Sequence, residues 1–279
     1  MPLAMPRYAA DCHEHVFDPD YPFAEGVHYI PEYAQRGTAD DFAAVLDSHG
    51  FTHGLLVGAV PYAGDNSAML AAIAKHKNRY KGIALIRDSE ITDKKVKQFA
   101  DGGVVGLRVN LMSFGTKEIT GAKGEKLLAT VKEMNWLLQL HLHEADLVEA
   151  APILRKAGVR LMFDHFGRPD VDQGIDQPGF KEMLEFGREG NSVIKLSGPF
   201  RSSKTGYPFK DTDRFIEASI GAFGIDNCVW GSDWPFVRVE KRIDYGPQLV
   251  VIPRWFPTEA DRQKVLWDNP KRLFGFVEY

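Results

Sequence analysis

Two histidines, His13 and His15, flank Glu14 in the stretch DCHEH at residues 11–15. Side chains two apart share one face of a strand. The two imidazoles would therefore project together with Asp11, while Cys12 and Glu14 take the other face. The same spacing rule places Arg108 with Val104 and Gly106, His141 and His143 with Gln139, His165 with Phe163 and Leu161, Ser197 with Lys195, and Asp233 with Gly231 and Val229. Imidazoles and a carboxylate are groups that move protons, and guanidinium groups grip anions. Each of these residues stands at or near the end of an apolar run. If the run ends meet, burying so many ionisable groups unpaired costs several kcal/mol apiece. A chain tolerates that cost where the groups do chemistry.

Taken singly, each residue has a plainer role. An H-x-H pair is often polar strand surface, His165 a neighbour of a helix cap, Asp233 an N-cap or turn residue, and Lys195 the partner of a carboxylate inside the fold. His143 falls just past its run and would serve a loop. Cys12 and Cys228 are expected as small core residues, and His28, His49, His53 and His76 as surface. Only the joint occurrence at successive run ends points to a site.

The elements that must position these groups are regular. Strand-like runs occur at RYAADCHEH, FTHGLLVGAV, YKGIALI, GVVGLRVNL, WLLQLHLH, VRLMFDHF, SVIKLSGPF and CVWGSDWP, and a helix-like run follows each. The first helix, in TADDFAAVLDSHG, would be opened by Thr38 or Asp40 and closed by Gly50. The last would run through TEADRQKVLWDNPKRLFG. Strands separated by helices of this length are parallel. Eight such units predict an α/β fold, a (β/α)8 TIM barrel, as a single domain over residues 1–279. An open doubly wound sheet is the alternative, weakened because no G-x-G-x-x-G turn follows the first strand. Long connections at 18–37, 112–120, 166–179, 199–210 and 234–257 follow strands and would shape one rim.

The chain has 279 residues and a formal charge of −4 without any basic run, which argues against a nucleic-acid partner. Its two cysteines form neither a zinc spacing nor a disulfide framework, so a reducing cytoplasm is the expected location. The opening MPLAMPRYAA is too short and too broken by proline for a signal peptide. No apolar run approaches the ~18 residues of a membrane span.

DCHEH, DHFGRPD, SGPFR and WGSDWP resemble the amidohydrolase superfamily. More narrowly, the chain is similar to the amidohydrolase-2 branch that contains 2-pyrone-4,6-dicarboxylate lactonase and several sugar-acid lactonases. The resemblance runs from Asp11 to the closing NPKRLFGF. H-x-H marks only the superfamily, whereas DHFGRPD and WGSDWP are fairly specific to the branch. The resemblance implies a barrel hydrolase acting on lactones, with His13, His15, His165 and Asp233 as catalytic residues. Arg108, Arg168 and Arg201 match strand-end arginines less tightly and are expected to bind substrate carboxylates, with His141 and Ser197 adding hydrogen bonds. In this scheme Asp233 activates water and the three histidines polarise the carbonyl. Two-metal members carry a carbamylated lysine on the fourth strand, where this chain has GLRVNL, so a two-metal centre is not expected. Metal-independent action, favoured by the arginines, stands against a single Zn²⁺ on His13, His15, His141 and Asp233. A small anionic lactone is the expected partner. A lactone isomerase, a decarboxylase and a non-catalytic binding protein are the competing functions. The absence of G-x-S-x-G argues against a serine hydrolase. Trp234, Phe236, Phe200 and Phe166 are candidate apolar walls.

Overall fold

The computed structural model describes residues 4–279; residues 1–3, on which the leader argument partly falls, lie outside the described residues. Eight strands make one sheet in chain order: β1 Ala10–Glu14, β2 His53–Val57, β3 Tyr80–Leu85, β4 Val104–Asn110, β5 Leu137–His141, β6 Arg160–Phe163, β7 Ser192–Ser197 and β8 Cys228–Gly231. The pairs β1–β2, β2–β3, β4–β5, β5–β6 and β6–β7 are parallel. Helices separate the strands at Ala39–His49, Ser67–Lys75, Asp93–Asp101, Gly121–Glu133, Asp146–Ala157, Pro178–Arg188 and Asp213–Phe223. Parallel neighbours require such crossovers. The architecture is the expected (β/α)8 class.

The residues pack as two compact units. Among the described residues, the first comprises those up to Ile86, with Lys94–Val105 and Trp230–Tyr279. Here β1 pairs with β2 and also with the segment just after β8. The Asp233 N–H donates to the His13 carbonyl at 2.8 Å and the His15 N–H to the Trp234 carbonyl at 2.9 Å, with a parallel bridge from Glu14 to Trp234. The start of the chain thus sits beside residues more than two hundred positions later.

Local chemistry explains the first helix. The Thr38 hydroxyl accepts from the Asp41 N–H, the Asp41 carboxylate accepts from the Thr38 N–H, and Gly50 closes the helix at φ +77°. This is a capping box with a left-handed C-terminal glycine, so Thr38 opens the helix rather than Asp40. Gly37 is required for another reason: a Cβ there would lie 1.9 Å from the Trp234 indole. That indole also packs on Phe42 at 5.2 Å, which makes Trp234 part of the helix–strand core. The expected single last helix is instead Glu259–Gln263, a π-helical Lys264–Asp268 and Asn269–Phe274. Pro270 offers no N–H to the carbonyl four residues back, and the ladder shifts.

His53 corrects an expectation. It is fully buried, not on the surface. Its ring lies between the Thr52 hydroxyl at 2.7 Å and the Val277 carbonyl at 3.0 Å, among Trp267, Phe276 and Tyr279. Burial pushes its pKa from 6.5 down to about 4 against the support of the Val277 hydrogen bond. The unfolded chain therefore binds a proton near pH 6.5 that the folded chain refuses until about pH 4. This contribution is fully present above pH 6.5 and is lost as the pH falls towards 4. Melting temperatures of wild type and His53→Phe, compared from pH 7 to 4, are expected to diverge, with the wild type losing more; parallel curves would refute the assignment.

The second unit comprises Arg87–Asp93 and Gly106–Val229. Leu138 and Leu140 on β5, and Ile194 and Leu196 on β7, are fully buried. Between them the same strands bury polar Gln139 and Lys195, and β4 buries Arg108. Parallel strands covered on both faces normally read as near-continuous apolar runs, so these three residues need partners.

Candidate active site

In the first unit, β1 does not keep simple alternation. Asp11 pairs with Gly54 but Glu14 with Leu56, so three steps of β1 match two of β2. An extra residue of this kind turns side chains away from the expected face. The Asp11 carboxylate serves as an anchor. One oxygen accepts from the His13 N–H at 3.2 Å and the Ser232 N–H at 2.9 Å, and the other accepts from the Tyr245 hydroxyl at 3.0 Å. Burial raises its pKa to about 6 even though these hydrogen bonds oppose the rise.

Beyond this anchor, three buried groups converge. His13 Nε2 lies 3.7 Å and His15 Nε2 3.8 Å from Asp233 Oδ1. The two imidazoles meet edge to face, 5.2 Å apart at 85°. His15 Nδ1 lies 2.8 Å from the Val57 carbonyl. A carbonyl only accepts, so Nδ1 carries hydrogen and Nε2 is the nitrogen turned towards Asp233. Asp233 lies beyond β8, which stops at Gly231, and its backbone is left-handed at φ +65°. Aspartate tolerates that region better than most residues. The group can accept a proton from water and polarise a carbonyl. Two imidazoles and a carboxylate are also donor types that hold a divalent ion. Fixing one imidazole nitrogen on a backbone carbonyl is also how ligating histidines are oriented.

In the second unit, β6 ends at Phe163 and the DHFG stretch forms a tight turn. His165, Phe166 and Arg168 have φ of +49°, +42° and +50°. Alternation therefore does not carry from Leu161 and Phe163 to His165, a correction to the expected pairing. His165 is instead aimed by β7, its Nδ1 lying 2.9 Å from the Ser197 hydroxyl. Ser197, expected on substrate, is fully buried against that ring. Strained backbone of this kind persists where surrounding contacts enforce it, commonly at functional sites.

Arg108 donates from Nε (3.1 Å) and Nη2 (2.9 Å) to one oxygen of Asp164, and Gln139 donates to the same oxygen at 2.9 Å. Lys195 donates to the Gln139 carbonyl oxygen at 2.7 Å and stands 3.7 Å from the second Asp164 oxygen. Burial alone would raise the Asp164 pKa, but Arg108 and Lys195 outweigh it and hold the group well below the usual carboxylate range. His141 ends β5. Burial first, then the charges of Arg108, Arg168 and Arg201, push its pKa well below 6.5, so its imidazole is neutral. The three arginines expected from the sequence thus act electrostatically on one histidine. Arg168 is half-buried, with Nη1 3.6 Å from the Met112 sulfur, and Arg201 lies over the Phe200 ring at 5.1 Å. His143 is exposed and Phe166 is core. Asp164, Gln139 and Tyr245 were not expected. The signal for Asp164 lay beside His165 in DHFGRPD, but the spacing rule selected the histidine.

A model of the amidohydrolase family matches residues 10–276. The chain belongs to the amidohydrolase family. This amidohydrolase is 31% identical over 286 residues to the 2-pyrone-4,6-dicarboxylate hydrolase of Comamonas testosteroni, covering 97% of this chain and 91% of that protein. It is 30% identical over 288 residues to the 4-sulfomuconolactone hydrolase of Rhizobium radiobacter, covering 99% and 92%. Its fold matches, at a TM-score of 0.87 and 31% identity, the crystal structure of an Acinetobacter baumannii protein described as a probable 2-pyrone-4,6-dicarboxylic acid hydrolase with citric acid bound, over 96% of this chain and 99% of that one. Among the described residues, no helix of the amidohydrolase is long and apolar enough to cross a membrane.

Proposed function

We propose that this amidohydrolase opens a lactone bearing at least one carboxylate, using water activated by Asp233. The observation that carries the chemistry is the approach of His13 and His15 to one Asp233 oxygen. The substrate class is supported by relatives at 30–31% identity named as hydrolases of a pyrone dicarboxylate and a sulfomuconolactone. Asp233 takes a proton from water, and the oxygen attacks the ring carbonyl. His13 and His165 stabilise the oxyanion as donors, while His15, whose Nδ1–H is held by the Val57 carbonyl, offers Nε2 as an acceptor to the attacking water beside Asp233. Each such donor is worth about 2.7–4 kcal/mol in acyl-transfer sites. The ring C–O bond then breaks, and the leaving oxygen takes the proton back from Asp233. Arg108, Arg168 and Arg201 bind the carboxylate, with His141 as a neutral hydrogen-bonding neighbour. Residues 1–279 are taken as one amidohydrolase domain, since one family model spans 10–276.

His13, His15 and Asp233 would also hold a single divalent ion, which when bound polarises a carbonyl and lowers the pKa of water. The steps above need only the protein's own groups. Chelator-treated protein is therefore expected to keep its hydrolysis rate within a few-fold. A larger loss, restored by Zn²⁺, would assign the three residues to a ligand set instead.

A panel of carboxylated lactones in weakly buffered indicator, with products followed by NMR, tests the reaction. One equivalent of acid is expected per ring opened. A rearranged lactone formed without acid release would make the protein an isomerase, and turnover of no panel member would remove the lactonase assignment.

A further inference from the structure

We propose that Asp164 is a positioning residue for anion specificity, setting the guanidinium of Arg108 so that its remaining edge meets the substrate carboxylate. This rests on the assignment of Arg108 to carboxylate binding. Asp164 is the first acid of DHFGRPD, and the mechanism above gives it no task. Its Oδ2 receives Arg108 Nε at 3.1 Å and Nη2 at 2.9 Å, and that pair of contacts occupies one edge of a planar fork. With that edge held, the plane of the guanidinium is fixed and the Nη1 side is the edge left to read a ligand.

Asp164 is itself held in place. Gln139 donates to the same Oδ2 at 2.9 Å and accepts from Lys195 at 2.7 Å. Lysine can only donate and carboxylate can only accept, so the orientation of the Gln139 amide is dictated by its two partners. The chain Lys195–Gln139–Asp164–Arg108 therefore crosses four strand positions with each group oriented by the next. All four side chains are buried. Their formal charges sum to +1, one anion against two cations, and an incoming carboxylate balances that sum. Two roles for Asp164 then predict opposite signs. As a mere counter-charge, Asp164 weakens anion binding, and its neutralisation would tighten it. As the group that orients Arg108, it strengthens binding, and its neutralisation weakens it.

The test compares kcat/KM for a carboxylated lactone with that for its methyl ester, in wild type, Arg108→Met and Asp164→Asn. Loss of an oriented hydrogen bond to a charged group corresponds to about a 10–100-fold change. The acid-to-ester ratio is expected to fall by at least ~10-fold in both variants, chiefly through KM for the acid. A fall in Arg108→Met with an unchanged or raised ratio in Asp164→Asn overturns the positioning role and leaves Arg108 as the carboxylate reader. An unchanged ratio in Arg108→Met defeats that assignment and the inference together. Asp164→Asn leaves two buried cations without their counter-ion. The charge-balanced pair Asp164→Asn with Lys195→Met therefore carries the same prediction if the single variant does not fold, and a wild-type ratio in it overturns the proposal.

Discussion

Asp233→Asn is expected to lower kcat for lactone hydrolysis by about 10²–10⁴-fold, the range a positioned general base contributes, while the protein stays folded. Asparagine is the informative replacement. Residue 233 sits at φ +65°, a region that asparagine enters as readily as aspartate and alanine does not. The Asp233 N–H also remains available to the His13 carbonyl. Backbone geometry is thereby kept while the basic oxygen is lost, so a fall in rate reports chemistry. Rates and melting temperatures measured together check this. A kcat within a few-fold of wild type would remove Asp233 from the base role, and a collapse of melting temperature would show that the side chain is mainly structural.

The second large effect is on stability. Asp11→Ala withdraws the acceptor used by the His13 N–H, the Ser232 N–H and the Tyr245 hydroxyl. A buried donor left without a partner costs about 1–3 kcal/mol, so three amount to several kcal/mol against a total of roughly 5–15 for a typical domain. The variant is expected to be largely unfolded or recovered at very low yield. Asp11→Asn keeps one acceptor oxygen for the two backbone donors and should be markedly milder. Denaturant titrations of the two variants provide the check. Equal, small losses would mean that the carboxylate does not tie β1 to the residues after β8. The anchor matters for chemistry as well, because the two backbone groups it holds belong to His13 itself and to Ser232, the neighbour of Asp233.

Much of this architecture was legible without coordinates. The eight strand–helix repeats follow from local signals: apolar runs of strand length, capping pairs such as Thr38 with Asp41, and Gly50 as a left-handed stop. The polar run ends His13, His15, Arg108, His141, Ser197 and Asp233 were equally visible, because each breaks an apolar run at its C-terminal end. Their partners were not. Alternation predicts a shared face only while the chain stays extended. The register shift in β1 interrupts the alternation between Asp11 and Glu14, Asp11 is held by Tyr245, and the left-handed turn after Phe163 separated His165 from Leu161.

The amino-acid sequence alone therefore determined the fold class and the residue types at the strand ends, because these depend on periodicities within short windows, while the motifs DCHEH, DHFGRPD, SGPFR and WGSDWP carried the resemblance to the family. Only the tertiary structure decided which group faces which. Asp164 became the partner of Arg108, Ser197 the support of His165, and His53 a buried residue. Those outcomes depend on neighbours contributed by other strands, on positive-φ turns that rotate a side chain, and on burial that makes a polar atom seek the nearest available partner.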